Sequence, residues 1–232
     1  MKFNKNLMHG RLIKRYKRFL ADVKLDNRQE VTAHCTNSGT MKTCLEEGAE
    51  VYLNPVDDPK RKTKFTWEMI KINKRWVGIN TNHPNLLVYE AISNNEVPAL
   101  AGYNEVKREV KFQDSRFDVM ATNDQETCFV EVKNVTMKDG DFALFPDAKT
   151  ERGRKHLETL IRVKEEGMRA VMFYVVQRMD VAKAGPAADI DPAYADVLKK
   201  AIDSGVEVIA MQAEVSPDGI DLVKEIPFQW PH

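Results

Sequence analysis

The texture of the sequence changes at Thr81, and that change constrains the fold more than any other feature of the chain. Before it, the β-prone runs "GRLIKRYKRFLADVKL", "EVTAHCTN", "AEVYLNP" and "FTWEMIKI" are divided by the turn and loop stretches "DNRQ", "SGTMKTCLEEG" and "VDDPKRKTK". Short strands at this spacing describe a small all-β barrel or sandwich. A five-stranded barrel of the oligonucleotide-binding (OB) type is one fit, although propensity alone does not select it. After Thr81, helical and strand patterns mix. Thr81 or Asn82 can cap a helix with Pro84 in its first turn and Leu86, Leu87, Ala91 and Ile92 on its apolar face. Three predicted strands follow, "EVKREVKF", "SRFDVMAT" and "TCFVEVKNV", then a turn at Gly140, the strand "FALF" and a helix in "DAKTERGRKHLETLIRVKEEG". The continuous apolar run "RAVMFYVVQ" suits a central strand buried on both faces. A helix over "PAYADVLKKAIDSG" and a hairpin of "VEVIAMQAEV" with "GIDLVKEI" close the order α-β-β-β-α-β-α-β-β. The expected domains are residues 1–80 and 81–232.

Charge divides at the same place. The 232-residue chain has zero formal net charge, yet residues 1–80 hold 17 Lys and Arg against 9 Asp and Glu, a balance of +8, and residues 81–232 carry −8. Within the basic part, "KRYKR" sets Tyr16 among Lys14, Arg15, Lys17 and Arg18, and "PKRKTK" adds a second cluster. Cations that neutralise phosphates, beside an aromatic ring on which a base can stack, suit nucleic-acid binding of low sequence specificity. Charge runs are more often solvated faces, but a balance of +8 over 80 residues exceeds what indifference predicts. No apolar run has the length of a membrane span, and the first twenty residues lack a secretory signal pattern, so a cytoplasmic protein without membrane partners is expected. Cys35, Cys44 and Cys128 are too few and too scattered for a disulfide framework or a zinc site and are expected as reduced thiols.

Asp118 lies in "RFDVM" and Glu131 in "FVEVK", with 12 residues between them. Antiparallel strands joined at "TNDQE" would set the two carboxylates opposite one another. The two-residue period of the second strand sends Phe129, Glu131 and Lys133 to one face and Cys128, Val130, Val132 and Val135 largely elsewhere. A hard cation such as Mg²⁺ or Mn²⁺ takes oxygen ligands and is often held by only one or two carboxylates, with water and substrate phosphate completing its shell. Asp118, Glu131 and the Val132 carbonyl are therefore the candidate metal ligands. Such an ion can acidify a water and stabilise charge on a phosphodiester, with Lys133 orienting the water or compensating the transition state. Glu90, on the preceding helix, could act as an outer ligand. The plainer alternatives are a solvated Glu–Lys pair on a strand and a solvent-facing helical Glu90.

Further along, "TERGRKHL" gathers Arg152, Arg154, Lys155 and His156 at the start of a helix. Cations there oppose the helix dipole unless an anion such as phosphate sits among them. The alternative is an exposed basic turn balanced by Glu151 and Glu158. The stretch "HCTNSGTM", His34 to Met41, reads as a structural loop first and a phosphate-contacting one second, since strand neighbours His34 and Cys35 point to opposite faces.

The segments "LIKRYKRFLADV", "HCTNSGTM", "HPNLLVYEAI", "SRFDVM", "FVEVKNVT", "FPDAKTERGRKHL", "GMRAVMFYVVQR" and "GVEVIAMQAEVSPDGI" together resemble the sugar fermentation stimulation protein family over nearly the whole chain. The resemblance implies an N-terminal OB-like barrel followed by a C-terminal α/β domain of the PD-(D/E)XK, restriction-endonuclease-like type. It also implies DNA binding of low sequence specificity, with the nuclease motif on Asp118, Glu131 and Lys133 and Glu90 matching the acid of the first helix. Phe117 stands where the motif's name has Pro; Thr36, Ser38 and Thr40 stand where Pro, Thr and Ser or Ala are expected. None of these removes a ligand. The expected function is a nucleic-acid-binding protein of low sequence specificity that carries a candidate Mg²⁺- or Mn²⁺-dependent phosphodiesterase (nuclease) site, with DNA the expected partner and a homodimer the form in which such folds often cut two strands. The alternatives are a non-catalytic DNA-binding regulator of sugar-metabolism genes, using the nuclease fold as a scaffold, and a small-molecule hydrolase using the same metal.

Overall fold

The computed structural model describes residues 1–3 and 5–231. Six strands build the first unit: β1 (Met8–Tyr16), β2 (Leu20–Leu25), β3 (Glu30–His34), β4 (Glu50–Pro55), β5 (Phe65–Ile72) and β6 (Arg75–Gly78). They run in the order β3-β2-β1-β4-β5-β6, and a parallel pairing of Ala33 with Phe65 and His34 with Thr66 joins β3 to β5. Five strands thereby close into a barrel, which removes the open edges a flat sheet would expose. Its interior is filled by Leu12, Ala21, Val23, Val51, Leu53 and Trp67, the last donating its indole N–H to the Met69 carbonyl at 2.9 Å.

Two features of this unit depart from expectation. The run "GRLIKRYKRFLADVKL" is two strands, not one: the chain reverses at Lys17 and Arg18, whose φ angles are 48° and 64°. The β5–β6 hairpin turns in the same way at Asn73 and Lys74, at 50° and 64°, and β6 was not expected at all. Turns of this hand normally advertise themselves with Gly, so cationic residues in left-handed backbone leave little local signal.

The second unit comprises α1 (His83–Ser93), a 3₁₀ turn at Pro98–Leu100, β7 (Glu105–Phe112), β8 (Ser115–Thr122), β9 (Thr127–Val135), β10 (Met137–Asp139), β11 (Phe142–Phe145), α2 (Glu151–Glu165), β12 (Arg169–Val176), β13 (Lys183–Pro186), α3 (Pro192–Asp203), β14 (Glu207–Ser216) and β15 (Gly219–Glu225). Its main sheet has the order β15-β14-β12-β9-β8-β7, with β12 parallel to both β9 and β14. Nearly every residue of β12 is buried, because α1 covers one face of the sheet and α2 with α3 the other. Beyond the expected elements are β10 and β13, which flank β11 in a small three-stranded sheet. Val135, expected away from Phe129, packs in the same core as Phe129. At the head of α1, Asn82 occupies the cap position with helical backbone and no side-chain capping bond.

The units are locked together by buried polar groups. Gln177, fully buried just after β12, accepts the Gly78 N–H at its main-chain carbonyl (3.0 Å) and donates its side-chain amide to Asn134 Oδ1 (2.7 Å). Arg178, 1% exposed, donates to the Thr136 carbonyl at 2.6 Å, to Thr43 of the barrel's loop at 3.3 Å, and with two bonds to Asp180. The first residues also cross over: Met1 and Phe3 pack against the second unit's core, and Lys2 pairs with Gly219. Among the described residues no helix is long and apolar enough to cross a membrane, and all three cysteines are free and buried.

Candidate active site and nucleic-acid interface

The ladder between β8 and β9 runs from Thr122↔Thr127 to Val119↔Val130 and stops. One step further, Asp118 and Glu131 stand opposite each other, and the strands no longer pair. The apolar alternation of β8 reverses here too: Phe117 packs on the α2 side of the sheet and Val119 on the α1 side. Glu109, opposite Asp118 in the register with β7, has φ 55°, the local kink that accompanies this reversal. The Val132 N–H, released from the ladder, donates to Asp118 Oδ2 at 2.8 Å, and the Asn85 amide in α1 donates to Asp118 Oδ1 at 2.5 Å.

Glu131 is 2% exposed. Its Oε1 accepts the Lys133 ammonium at 2.6 Å and also meets the His156 ring in a short contact, while its buried Oε2 has no partner among the described residues. Burial acts to raise the Glu131 pKa, but the Lys133 charge and the His156 hydrogen bond outweigh it and hold the group below the usual carboxylate value. Asp118 goes the other way: burial first, and the facing Glu131 second, push it up to about 7. Two facing carboxylates with opposed shifts and one orphaned oxygen form a site short of positive charge, which fits a divalent cation. Among the described residues no three His, Cys, Asp or Glu side chains form a group that could hold a metal ion by themselves.

The other expected site residues separate into those near this cluster and those elsewhere. Lys133, Arg18 and Arg152 line a cleft of about 450 Å³, between the barrel's loop at Asn37–Gly39 and the head of α2. Arg154 does not join them: it pairs with Asp191 at 3.2 Å, and Lys155 pairs with Asp114 at 2.9 Å. Consecutive residues step round a helix by about 100°, so four neighbours cannot face one ligand. His156 turns inward onto Glu131 rather than outward to an anion. In the barrel, Arg15 donates to the carbonyls of Asn37 (2.8 Å) and Gly39 (3.0 Å), Tyr16 donates to Asp22 (3.1 Å), and Lys14 lies 4.0 Å from Asp22. Arg15 thus shapes the His34–Met41 loop, while Lys17 and Arg18 remain exposed at the hairpin tip. Glu90 is not at the cluster: it lies 3.7 Å from the Met1 ammonium, on the part of α1 facing the crossing N-terminal segment.

Sequence reasoning missed Asn85, the α1 residue that holds Asp118. A polar side chain just after a helix-opening proline, in a run otherwise apolar, was its only signal. Asp147, between β11 and α2, lines the cleft, and its carboxylate accepts the Met41 N–H at 3.2 Å and ties the barrel's loop to the rim.

A closed OB barrel followed by a mixed sheet sandwiched between helices, with paired acids at the point where two strands splay, defines a two-domain protein of the OB plus restriction-endonuclease-like class. The chain matches "SfsA N-terminal OB domain" over residues 13–79 and "Sugar fermentation stimulation protein RE domain" over residues 82–219. It is 48% identical to a sugar fermentation stimulation protein homolog of Geotalea uraniireducens, covering 95% of this chain and 96% of that one, and 50% identical to one of Paramagnetospirillum magneticum, covering 96% and 95%. The solved structure of Pyrococcus furiosus SfsA in complex with Ca²⁺ superposes with a TM-score of 0.89 at 26% identity, over 99% of this chain and 98% of that one. The chain belongs to the sugar fermentation stimulation protein family.

Proposed function

We propose that this protein is a metal-dependent phosphodiesterase acting on nucleic acid, with Asp118 and Glu131 as the cation ligands. The observation that carries the reading is the buried Glu131 Oε2, without a partner among the described residues, in a carboxylate close enough to the buried Asp118 to help raise its pKa to about 7. A bound Mg²⁺ or Mn²⁺ ion would supply Lewis acidity toward a phosphoryl oxygen. Asn85 and the Val132 N–H hold Asp118 in place, and the Val132 carbonyl is a third candidate donor. His156 fixes Glu131. Lys133, bound to Glu131 and lining the cleft, would donate to a non-bridging phosphate oxygen or orient the attacking water. Arg18 and Arg152 line the same cleft and are suited to backbone phosphates on either side. The Ca²⁺ of the Pyrococcus relative supports a divalent-cation role for the family's fold.

The specific observation favouring a second reading, a non-catalytic nucleic-acid-binding protein, is that Glu131 Oε1 already carries both Lys133 and His156. Incubation with single-stranded, double-stranded and branched DNA and with RNA, in Mg²⁺ or Mn²⁺, separates the two. Cleavage that falls at least about a hundredfold in Glu131→Ala is expected. Absence of cleavage of every substrate, with binding intact, would leave only the scaffold reading.

A further inference from the structure

His156 turns inward from the basic run at the head of α2, and a partner stands at each of its ring nitrogens. The first turn of the helix is fixed ahead of it. Thr150 caps that turn, the Thr150 N–H donates to Asp191 at 2.8 Å, and Gly153 lies so close to α3 that an added Cβ would sit 3.2 Å from the Tyr194 ring. Arg152 and His156, four residues apart, share one face of the helix. Arg152 Nε donates to His156 Nε2 at 3.4 Å. A ring nitrogen that accepts carries no hydrogen, so the proton of the neutral imidazole is on Nδ1, the nitrogen that meets Glu131 Oε1. Lys133 lies 3.4 Å from Nδ1 but has only hydrogens to offer, and it donates to the same Oε1 at 2.6 Å. The opposite tautomer would set N–H against N–H at Arg152 and a lone pair against the carboxylate.

We propose that Arg152 and His156 are positioning residues for the metal ligand Glu131: Arg152 fixes the tautomer and ring of His156, and His156 holds Glu131 Oε1 so that Oε2 is the oxygen presented to the cation. The inference rests on the hydrolytic reading, because it takes Glu131 as a ligand. It gives Arg152, exposed on the wall of the cleft, a role beyond meeting a phosphate. His156 is 7% exposed and Glu131 2%, so water is poorly placed to replace a lost partner at this point. Hydrogen-bond partners behind a metal ligand typically change metal affinity 10–100-fold when removed. The proposal also makes a prediction of opposite sign to plain electrostatics. Arg152 is a cation, and by Coulomb's law alone its removal should tighten the binding of a nearby divalent ion. If it acts through His156, its removal loosens that binding.

The test is calorimetric titration of the full chain with Mn²⁺ at pH 8 and with no nucleic acid present, so that the readout is ion binding and not turnover. Loss of the binding heat in Glu131→Ala assigns it to this site. His156→Ala should weaken Mn²⁺ at least about tenfold. His156→Asn, whose amide nitrogen can stand where Nδ1 stands and donate to Glu131, should recover most of that loss. Arg152→Ala, at an exposed position that leaves the fold alone, should weaken Mn²⁺ at least about threefold in the wild-type background and have no such effect in His156→Asn, where there is no tautomer to fix. Mn²⁺ binding that is unchanged or tighter in Arg152→Ala, or unchanged in His156→Ala, would overturn the proposal and leave the hydrolytic reading standing. Absence of Mn²⁺ binding in the wild type, or binding unchanged in Glu131→Ala, would overturn both.

Discussion

Gln177 has no room to move. It is fully buried, its amide is bound to Asn134, and a Cβ added at Gly78 would overlap its carboxamide. Gly78→Ala therefore presses one unit off the other. Overpacking of this kind costs about 1–3 kcal/mol, which for a chain of this size lowers the melting temperature by roughly 2–4 °C per kcal/mol. A thermal melt within about 1 °C of wild type would show that the seam can yield. A second residue-scale outcome concerns Asp118, which is held beside another buried carboxylate. Asp118→Asn removes that repulsion and is expected to raise the melting temperature in EDTA by the equivalent of about 1–2 kcal/mol. In the wild type, Mg²⁺ or Mn²⁺ should raise the melting temperature through linkage, and the variant should lose that response. An equal response to the ions in both proteins would move the cation site away from Asp118.

At the scale of the element, the sequence was most legible where packing and pattern agree. In β8, β9 and β12 the expected runs coincide with the strands to within a residue, since covered sheet faces demand long apolar or alternating stretches, and the mostly exposed edge strand β7 coincides with its run as well. The short strands β6, β10 and β13 were missed because three or four residues carry no period, and partners distant in the chain make them strands. The candidate site followed the same rule. Strand period set Lys133 beside Glu131, while Asp118 lies one step past the end of the β8–β9 ladder; a helix distributes its cations round its axis, and so Arg154 and Lys155 went to Asp191 and Asp114. Glu90 and Asn85 show the limit: both lie on α1, but which of them faces β8 depends on how the helix is docked. The start of α2 is fixed by Thr150, whose hydroxyl accepts the Gly153 N–H at 3.0 Å. Thr150→Ala should cost about 1 kcal/mol of stability in urea unfolding. A larger loss would mean that the cap also supports the cleft it lines.

For the whole molecule, a barrel of charge +8 sits on a domain of charge −8, but long-range attraction of that kind is screened at physiological salt. What holds the units in one geometry is the short-range seam of Gln177 and Arg178. Arg178 is buried, and its charge is answered by Asp180, which receives two hydrogen bonds from it and a contact from Lys138. Burial works to raise the Asp180 pKa, but Arg178 and Lys138 bring it down to about 2. A carboxylate with a lowered folded pKa contributes stability that is fully present above its unfolded value near 4 and is lost as the pH falls toward 2. Asp180→Asn should thus destabilise the protein at neutral pH by on the order of 1–2 kcal/mol, after allowance for partial solvent screening. The difference from wild type should shrink steadily in urea titrations between about pH 4 and pH 2, because protonation then does to the wild type what the substitution has already done. If the two curves stayed parallel down to the acid limit, the buried Arg178 would be held by the Thr136 and Thr43 oxygens rather than by its counter-charge, and acid would not loosen the seam between barrel and sheet.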